Sequence, residues 1–148
     1  MKKNLAIILT FAFVALFTET KAQTLWINSY FNKTTGKHFY TTDGNELGPG
    51  KLGYVFEGYL GQLLALTSGT PHIYRFYNST TTAHYYSLNS NPPEGFHLES
   101  ILGNNVEGPL YTRTVYQYHD SNGDFFYSTS NVTPVGYTLD GAAFSVVQ

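Results

Sequence analysis

The sequence predicts an all-β fold of three pseudo-repeats of about 40 residues around a pseudo-three-fold axis, and three observations carry that prediction. A short aromatic block recurs as Lys37-His38-Phe39-Tyr40-Thr41, Ala83-His84-Tyr85-Tyr86-Ser87 and Asp124-Phe125-Phe126-Tyr127-Ser128. A second block, from a glycine to an acid, follows each time: Gly53 to Glu57, Gly95 to Glu99, Gly136 to Asp140. Beyond the N-terminal segment, no stretch of useful length shows the 3.6-residue apolar period of a helix. Short aromatic and β-branched runs alternate with turn residues instead.

The spacing keeps register. His84 lies 46 positions after His38, and Phe125 lies 41 after His84. The first block is 15 residues from the second in copy one, and 11 in copies two and three. Upstream, Phe31-Asn32-Lys33-Thr34 aligns with Tyr77-Asn78-Ser79-Thr80 and with Tyr118-His119-Asp120-Ser121. The copies span about 25–66, 72–106 and 110–148 of one domain, 23–148.

Taken in order, residues 1–22 read as a signal peptide. Lys2-Lys3 precede a 13-residue apolar run from Leu5 to Phe17, and small residues at Thr20 and Ala22 suit cleavage after Ala22. The run is shorter than the roughly 20 residues a spanning helix needs. A secreted or periplasmic chain starting at Gln23 is expected, with no membrane span. There is no cysteine, so no disulfide can form. Without Lys2, Lys3, Glu19 and Lys21, five basic and nine acidic residues remain. That balance offers no basic patch for nucleic acid.

In copy two, Ile73 to Tyr77 reads as a strand, Asn78 to Thr82 as a turn and His84 to Ser87 as the returning strand. Asn89 to Pro93 is a loop, because proline cannot donate to a sheet ladder. Phe96 to Leu102 is a third strand. Copy three repeats this with Val115 to Tyr118, the turn Asp120 to Gly123, Phe125 to Thr129, and Tyr137 to Val146. In copy one, Gln62 to Leu66 reads as a fourth strand. Copies this small must share one core. A β-trefoil-like fold and a small three-bladed propeller both meet that demand.

With these residues laid out, the chain resembles a family of secreted tandem-repeat domains of unknown function. Its mark is a Tyr-Arg-x-Tyr-Asn…His-Phe-Tyr-Thr…Gly-Tyr-x-x-Glu-Gly pattern. The best matches are Tyr74-Arg75-Phe76-Tyr77-Asn78, Gly36-Lys37-His38-Phe39-Tyr40-Thr41 and Gly53-Tyr54-Val55-Phe56-Glu57-Gly58. The resemblance implies an extracellular binding or attachment module rather than a known reaction. The chain departs from the pattern at Phe125, Asp140 and Ser100.

Each copy pairs an aromatic-flanked histidine position with an acid: His38 with Glu57, His84 with Glu99, Phe125 with Asp140. Such a pair can be an acid–base couple, part of a metal site, or a hydrogen-bonded tie between strands. Recurrence in every copy and the loss of the histidine at Phe125 favour the tie. His72, His97 and His119 do not fall at metal-ligand spacings, so no metal, cofactor or catalytic residue is assigned. Asn32, Asn78 and Asn131 open glycosylation sequons, and an Asn that hydrogen-bonds its own turn explains the first two.

Trp26, thirteen tyrosines and the phenylalanines exceed what a small core needs. Rings facing solvent beside Asn, Thr and Asp suit stacking on sugars. A non-catalytic module for a glycan or cell-surface polymer is therefore expected. A secreted hydrolase with an acidic site and an adhesive protein-binding module are the rivals. Candidate binding residues lie at the hairpin turns and the grooves between copies: Asn32, Lys37, Tyr77, Asn78, Tyr118, Asp120 and Asp124.

Overall fold

The computed structural model describes residues 23–66, 69, 71–108 and 111–147. The proposed signal peptide lies outside the described residues. The fold is all-β. The strands are β1 (Thr24–Asn32), β2 (Lys37–Thr41), β3 (Tyr54–Leu64), β4 (His72–Asn78), β5 (Ala83–Ser87), β6 (His97–Asn104), β7 (Thr112–Asp120), β8 (Phe125–Ser128) and β9 (Tyr137–Val147). Antiparallel pairing joins them into one open sheet. They fall into groups of three: β1 pairs with β2 and β3, β4 with β5 and β6, β7 with β8 and β9. The groups meet at β3, where Leu64 pairs with Asn104 of β6 and Gln62 with Val147 of β9.

Three sequence expectations need correction. Gln62 to Leu66 is not a separate strand, because β3 runs on through Leu64 against β1. A single helical turn, α1 (Gly44–Leu47), stands between β2 and β3. It falls in the stretch where copy one is longer. Asp43 caps it by accepting from Asn45 N, and Leu47 buries against Tyr30 and Phe39. One turn is too short to show a period. The third correction is register. Phe31 pairs with His38 and Tyr77 with His84, but His119, not Tyr118, pairs with Phe125. The third hairpin turn is one residue shorter, so Tyr118 joins Tyr30 and Phe76 among the fully buried rings.

Each long strand carries two bulges that break its alternation. Ser29 pairs with Gly58 and Tyr30 with Phe56, which leaves Glu57 unpaired. Glu99 and Asp140 are left unpaired in the same way. A bulged residue re-aims its side chain, and in each group that residue is the acid. The second bulge leaves Leu60, Leu102 and Ala143, which pack on the core.

Tyr40, Tyr86 and Tyr127 occupy the centre. Their rings meet edge to face, with centroids 5.4, 5.4 and 5.2 Å apart. Buried phenols need partners, and these supply one another through the backbone. The Tyr86 hydroxyl accepts from Tyr40 N at 2.7 Å and donates to Tyr40 O at 2.9 Å. The Tyr127 hydroxyl accepts from Tyr86 N at 2.9 Å and shares its one proton between Gln117 Oε1 at 2.7 Å and Tyr86 O at 3.1 Å, while the Tyr40 hydroxyl accepts from Tyr127 N at 2.9 Å and donates to Tyr127 O at 3.3 Å. The circuit closes. Ile27, Ile73, Val115, Leu63 and Val146 surround it. Burial pushes all three phenols upward, so they stay neutral.

The recurring glycines have a backbone cause. Gly53, Gly95 and Gly136 have φ of +84°, +79° and +86°, a region open to glycine at little cost. At the first two, a Cβ would also lie 3.0 and 2.9 Å from the side-chain amides of Asn32 and Asn78.

Candidate functional site

A cleft of about 490 Å³ lies between the first and second groups. Its size is within the range of small-ligand sites. Phe39, Leu52, Tyr54 and Tyr77 supply apolar wall, and Asn32, Glu46, His84 and Glu99 supply polar groups. Beside it lies Arg75, 5 % exposed on β4. A buried guanidinium needs carboxylates, and Arg75 has two. Its Nη1 and Nη2 grip both oxygens of Glu46 at 3.0 and 2.8 Å. Its Nε lies 2.7 Å from Glu99 Oε2, an ion contact outside hydrogen-bond geometry. The guanidinium also stands 4.6 Å over the Phe39 ring.

His84 Nε2 reaches the same Glu99 oxygen at 3.4 Å. Burial pushes Glu46 and Glu99 up. Hydrogen bonds from Arg75 and Thr41 to Glu46, and from His84 with the nearby Arg75 charge to Glu99, more than offset it. Both carboxylates sit below their ordinary range. Burial, with Tyr77 nearby, pushes the Tyr54 phenol up to about 12.

Two rim residues are strained. Leu52 and Thr82 both line this cleft, with φ of 54° and 56°. The left-handed region is a genuine outlier for a β-branched residue. The same turn position holds Gly36 and Gly123, with φ of 68° and 73°, in the other hairpins. Strain of this kind gathers at binding sites.

The other two junctions differ. A cleft of about 260 Å³ between the first and third groups is lined by Ser29, Glu57, Tyr59, Phe126, Ser128 and Thr129. One of about 200 Å³ between the second and third is lined by Tyr85, Gln117, Asp140 and Ala142, among others. Ser29, Arg75 and Gln117 share one pairing position, opposite Tyr40, Tyr86 and Tyr127. Small or short side chains leave those two clefts open, and Arg75 occupies the corresponding place in its own group.

The sequence-predicted residues fall out as follows. His38 Nδ1 meets Asp124 Oδ2 at 2.5 Å, and its Nε2 lies 3.6 Å from Glu57. Asp124 is 1 % exposed. It also accepts from His38 N at 2.7 Å and from the Tyr137 hydroxyl at 2.8 Å. Burial pushes Asp124 up, but the bonds from His38 and Tyr137 bring it below its ordinary range. Its carboxylate therefore works inside the fold rather than on a ligand. Lys37 occupies the place corresponding to Asp124, but its Nζ donates to Asn122 O at 2.5 Å. His84 Nδ1 is left without a hydrogen-bond partner.

Asp140 finds a different histidine. His119 Nδ1 lies 2.6 Å from Oδ1, and Gln117 Nε2 donates to Oδ2 at 2.8 Å. Asn32, Asn78 and Asp120 each accept two backbone N–H bonds within their own turns. Asn32 is buried and its amide also donates to Leu52 O, which leaves no room for a glycan on it. Tyr118 is wholly buried and donates to Ser130 O. Of the seven candidate binding residues, the cleft of about 490 Å³ gathers Asn32 and Tyr77.

The sequence reading missed Arg75, Glu46, Tyr54 and Leu52 as a site. Arg75 was legible. An arginine inside an aromatic strand either faces water or demands carboxylates. Glu46 was not, because it sits on the unforeseen helical turn.

Among the described residues, no group of three or more His, Asp or Glu is placed to hold a metal, and no helix is long and apolar enough to cross a membrane. Fold and site together define an aromatic-rich all-β protein with ligand-sized clefts where its strand groups meet. The family described as a domain of unknown function, DUF5648, matches residues 11–99, and the chain belongs to it. No curated protein and no solved structure matches the chain.

Proposed function

We propose that this is a secreted, non-catalytic carbohydrate-binding module. Its three strand groups are read as pseudo-repeats about an approximate three-fold axis, and its principal site is the cleft between the first two. The closed tyrosine circuit and the matching bulges support the repeat reading. Three strands per group favour a small three-bladed arrangement over a trefoil, whose units carry four.

The observation that carries the functional reading is the chemistry of that cleft. Tyr77, Tyr54 and Leu52 offer apolar surface to a sugar face. The Tyr54 and Tyr77 hydroxyls and Glu99 Oε1 make no internal hydrogen bond among the described residues, so they remain for ligand hydroxyls. The rival reading, an acid-catalysed hydrolase, is less well supported. Such chemistry uses a carboxylic acid with a raised pKa, and Glu46 and Glu99 are both held below their ordinary range.

A glycan-array screen of the purified protein tests the reading. Binding to one saccharide class, lost in Tyr77→Ala, is the expected result. No binding to any glycan, or release of cleaved product from a bound one, contradicts it.

A further inference from the structure

We propose that the cleft between the first and third strand groups is a second saccharide site, taking one neutral hexopyranose ring on Tyr59 and Glu57. The proposal rests on the carbohydrate reading for its ligand class, but it shares no lining residue with the Tyr77 cleft.

The three bulged acids differ in what they have left to offer. Glu99 is held by Arg75 and His84. Asp140 has both oxygens engaged, by His119 and Gln117. Glu57 makes no hydrogen bond among the described residues. The His38 Nε2 atom lies 3.6 Å away, and the Glu57 side chain is 44 % exposed. All three bulged acids reach the surface, but among the described residues only Glu57 does so without a hydrogen bond, and its carboxylate lines the cleft. A carboxylate accepts from two donors side by side, the pattern that neighbouring sugar hydroxyls supply. Ser29, Ser128 and Thr129 line the cleft around it.

The aromatic surface is also particular to this junction. Tyr59 shares its pairing position with Ile101 and Ala142. It is 60 % exposed, yet its ring is held by Trp26 at 5.0 Å and Phe56 at 5.2 Å. A large ring with few rotamers gives contact area at low entropic cost, and its exposed surface suits the apolar side of a pyranose. A volume of about 260 Å³ is below the usual range for drug-sized ligands and suits one ring. The Glu57 charge, with Asp124 behind His38, disfavours uronic acids.

Trp26 is the sole tryptophan of the chain, so its fluorescence reports on this site. The full protein is titrated with methyl β-glucopyranoside, methyl α-mannopyranoside and sodium glucuronate. The expected result is a saturable tryptophan change, at about millimolar concentration, with at least one neutral glycoside and none with glucuronate. Tyr59→Ala and Glu57→Gln should each weaken it at least tenfold, and Tyr59→Phe should retain it. Both residues are exposed, and near-ultraviolet circular dichroism checks that the fold is intact. No saturable change with either glycoside, an unaltered response in Tyr59→Ala, or equal response to glucuronate overturns the proposal. Calorimetric binding that vanishes in Tyr77→Ala, with a silent tryptophan, also overturns it while leaving the principal cleft standing.

Discussion

Removing one hydroxyl from the tyrosine circuit should cost a large share of this protein's stability. In Tyr86→Phe, the Tyr40 N–H loses the oxygen it donates to at 2.7 Å, and Tyr40 O loses a donor at 2.9 Å. An orphaned buried donor costs about 1–3 kcal/mol. The carbonyl retains a weak contact from Arg75 Nη1 at 3.5 Å, so it adds less. The ring itself stays and leaves no cavity. The sum is about 2–3 kcal/mol, which for a domain of this size lowers Tm by roughly 6–12 °C. Tyr85→Phe is the control. Its hydroxyl makes no hydrogen bond among the described residues, and the change should stay within about 0.5 kcal/mol. Thermal and urea unfolding of both variants decide the matter. If Tyr86→Phe is no worse than Tyr85→Phe, the circuit does not hold the three groups together.

Other expectations follow from the same structure. Asp124, Glu46 and Glu99 have folded-state pKa values below their ordinary ones. Their stabilisation is therefore complete above the ordinary carboxylate range and is lost as pH falls through the folded values. Tm should hold near neutral pH and drop below about pH 4, and a Tm that rises on acidification from pH 5 to 3 refutes the ion contacts. Thr82→Gly releases left-handed strain of about 1–2 kcal/mol against a glycine entropy cost of about 0.5–1 kcal/mol. It should raise stability by about 0.5–1 kcal/mol in urea unfolding while weakening glycan binding, and a loss of stability would mean the strain is not there. His84→Phe should fold normally at a cost of about 1 kcal/mol, because Arg75 still neutralises Glu99. Unfolding in water would show that His84 does more than tie its strand.

The all-β class was legible because its signals are local. Aromatic and β-branched runs, turn residues and prolines bounded β4 to β9 within a few residues of their observed ends. What stayed hidden depends on register and reach. The bulges at Glu57, Glu99 and Asp140 have no composition of their own, yet they decide where the acids point. The shorter third turn moved His119 opposite Phe125, and a single-residue shift is invisible when both candidates are aromatic. Asp124 looked like a surface turn residue. Only the fold brings His38, 86 positions earlier, onto its carboxylate. Glu46 needed the helical turn to reach Arg75 across 29 positions.

The central claim is that the cleft between the first two strand groups binds saccharide without cleaving it. The most direct test is a calorimetric titration of the protein with a monovalent sugar from the array hit and with its polymer, repeated on Tyr77→Ala. The account predicts about millimolar affinity for the monomer, roughly −4 kcal/mol. It also predicts at least tenfold tighter binding to the polymer through several clefts, with Tyr77→Ala weakening both and every ligand recovered intact. Equal affinity for monomer and polymer, binding unchanged in Tyr77→Ala, or shortened chains after incubation would contradict it.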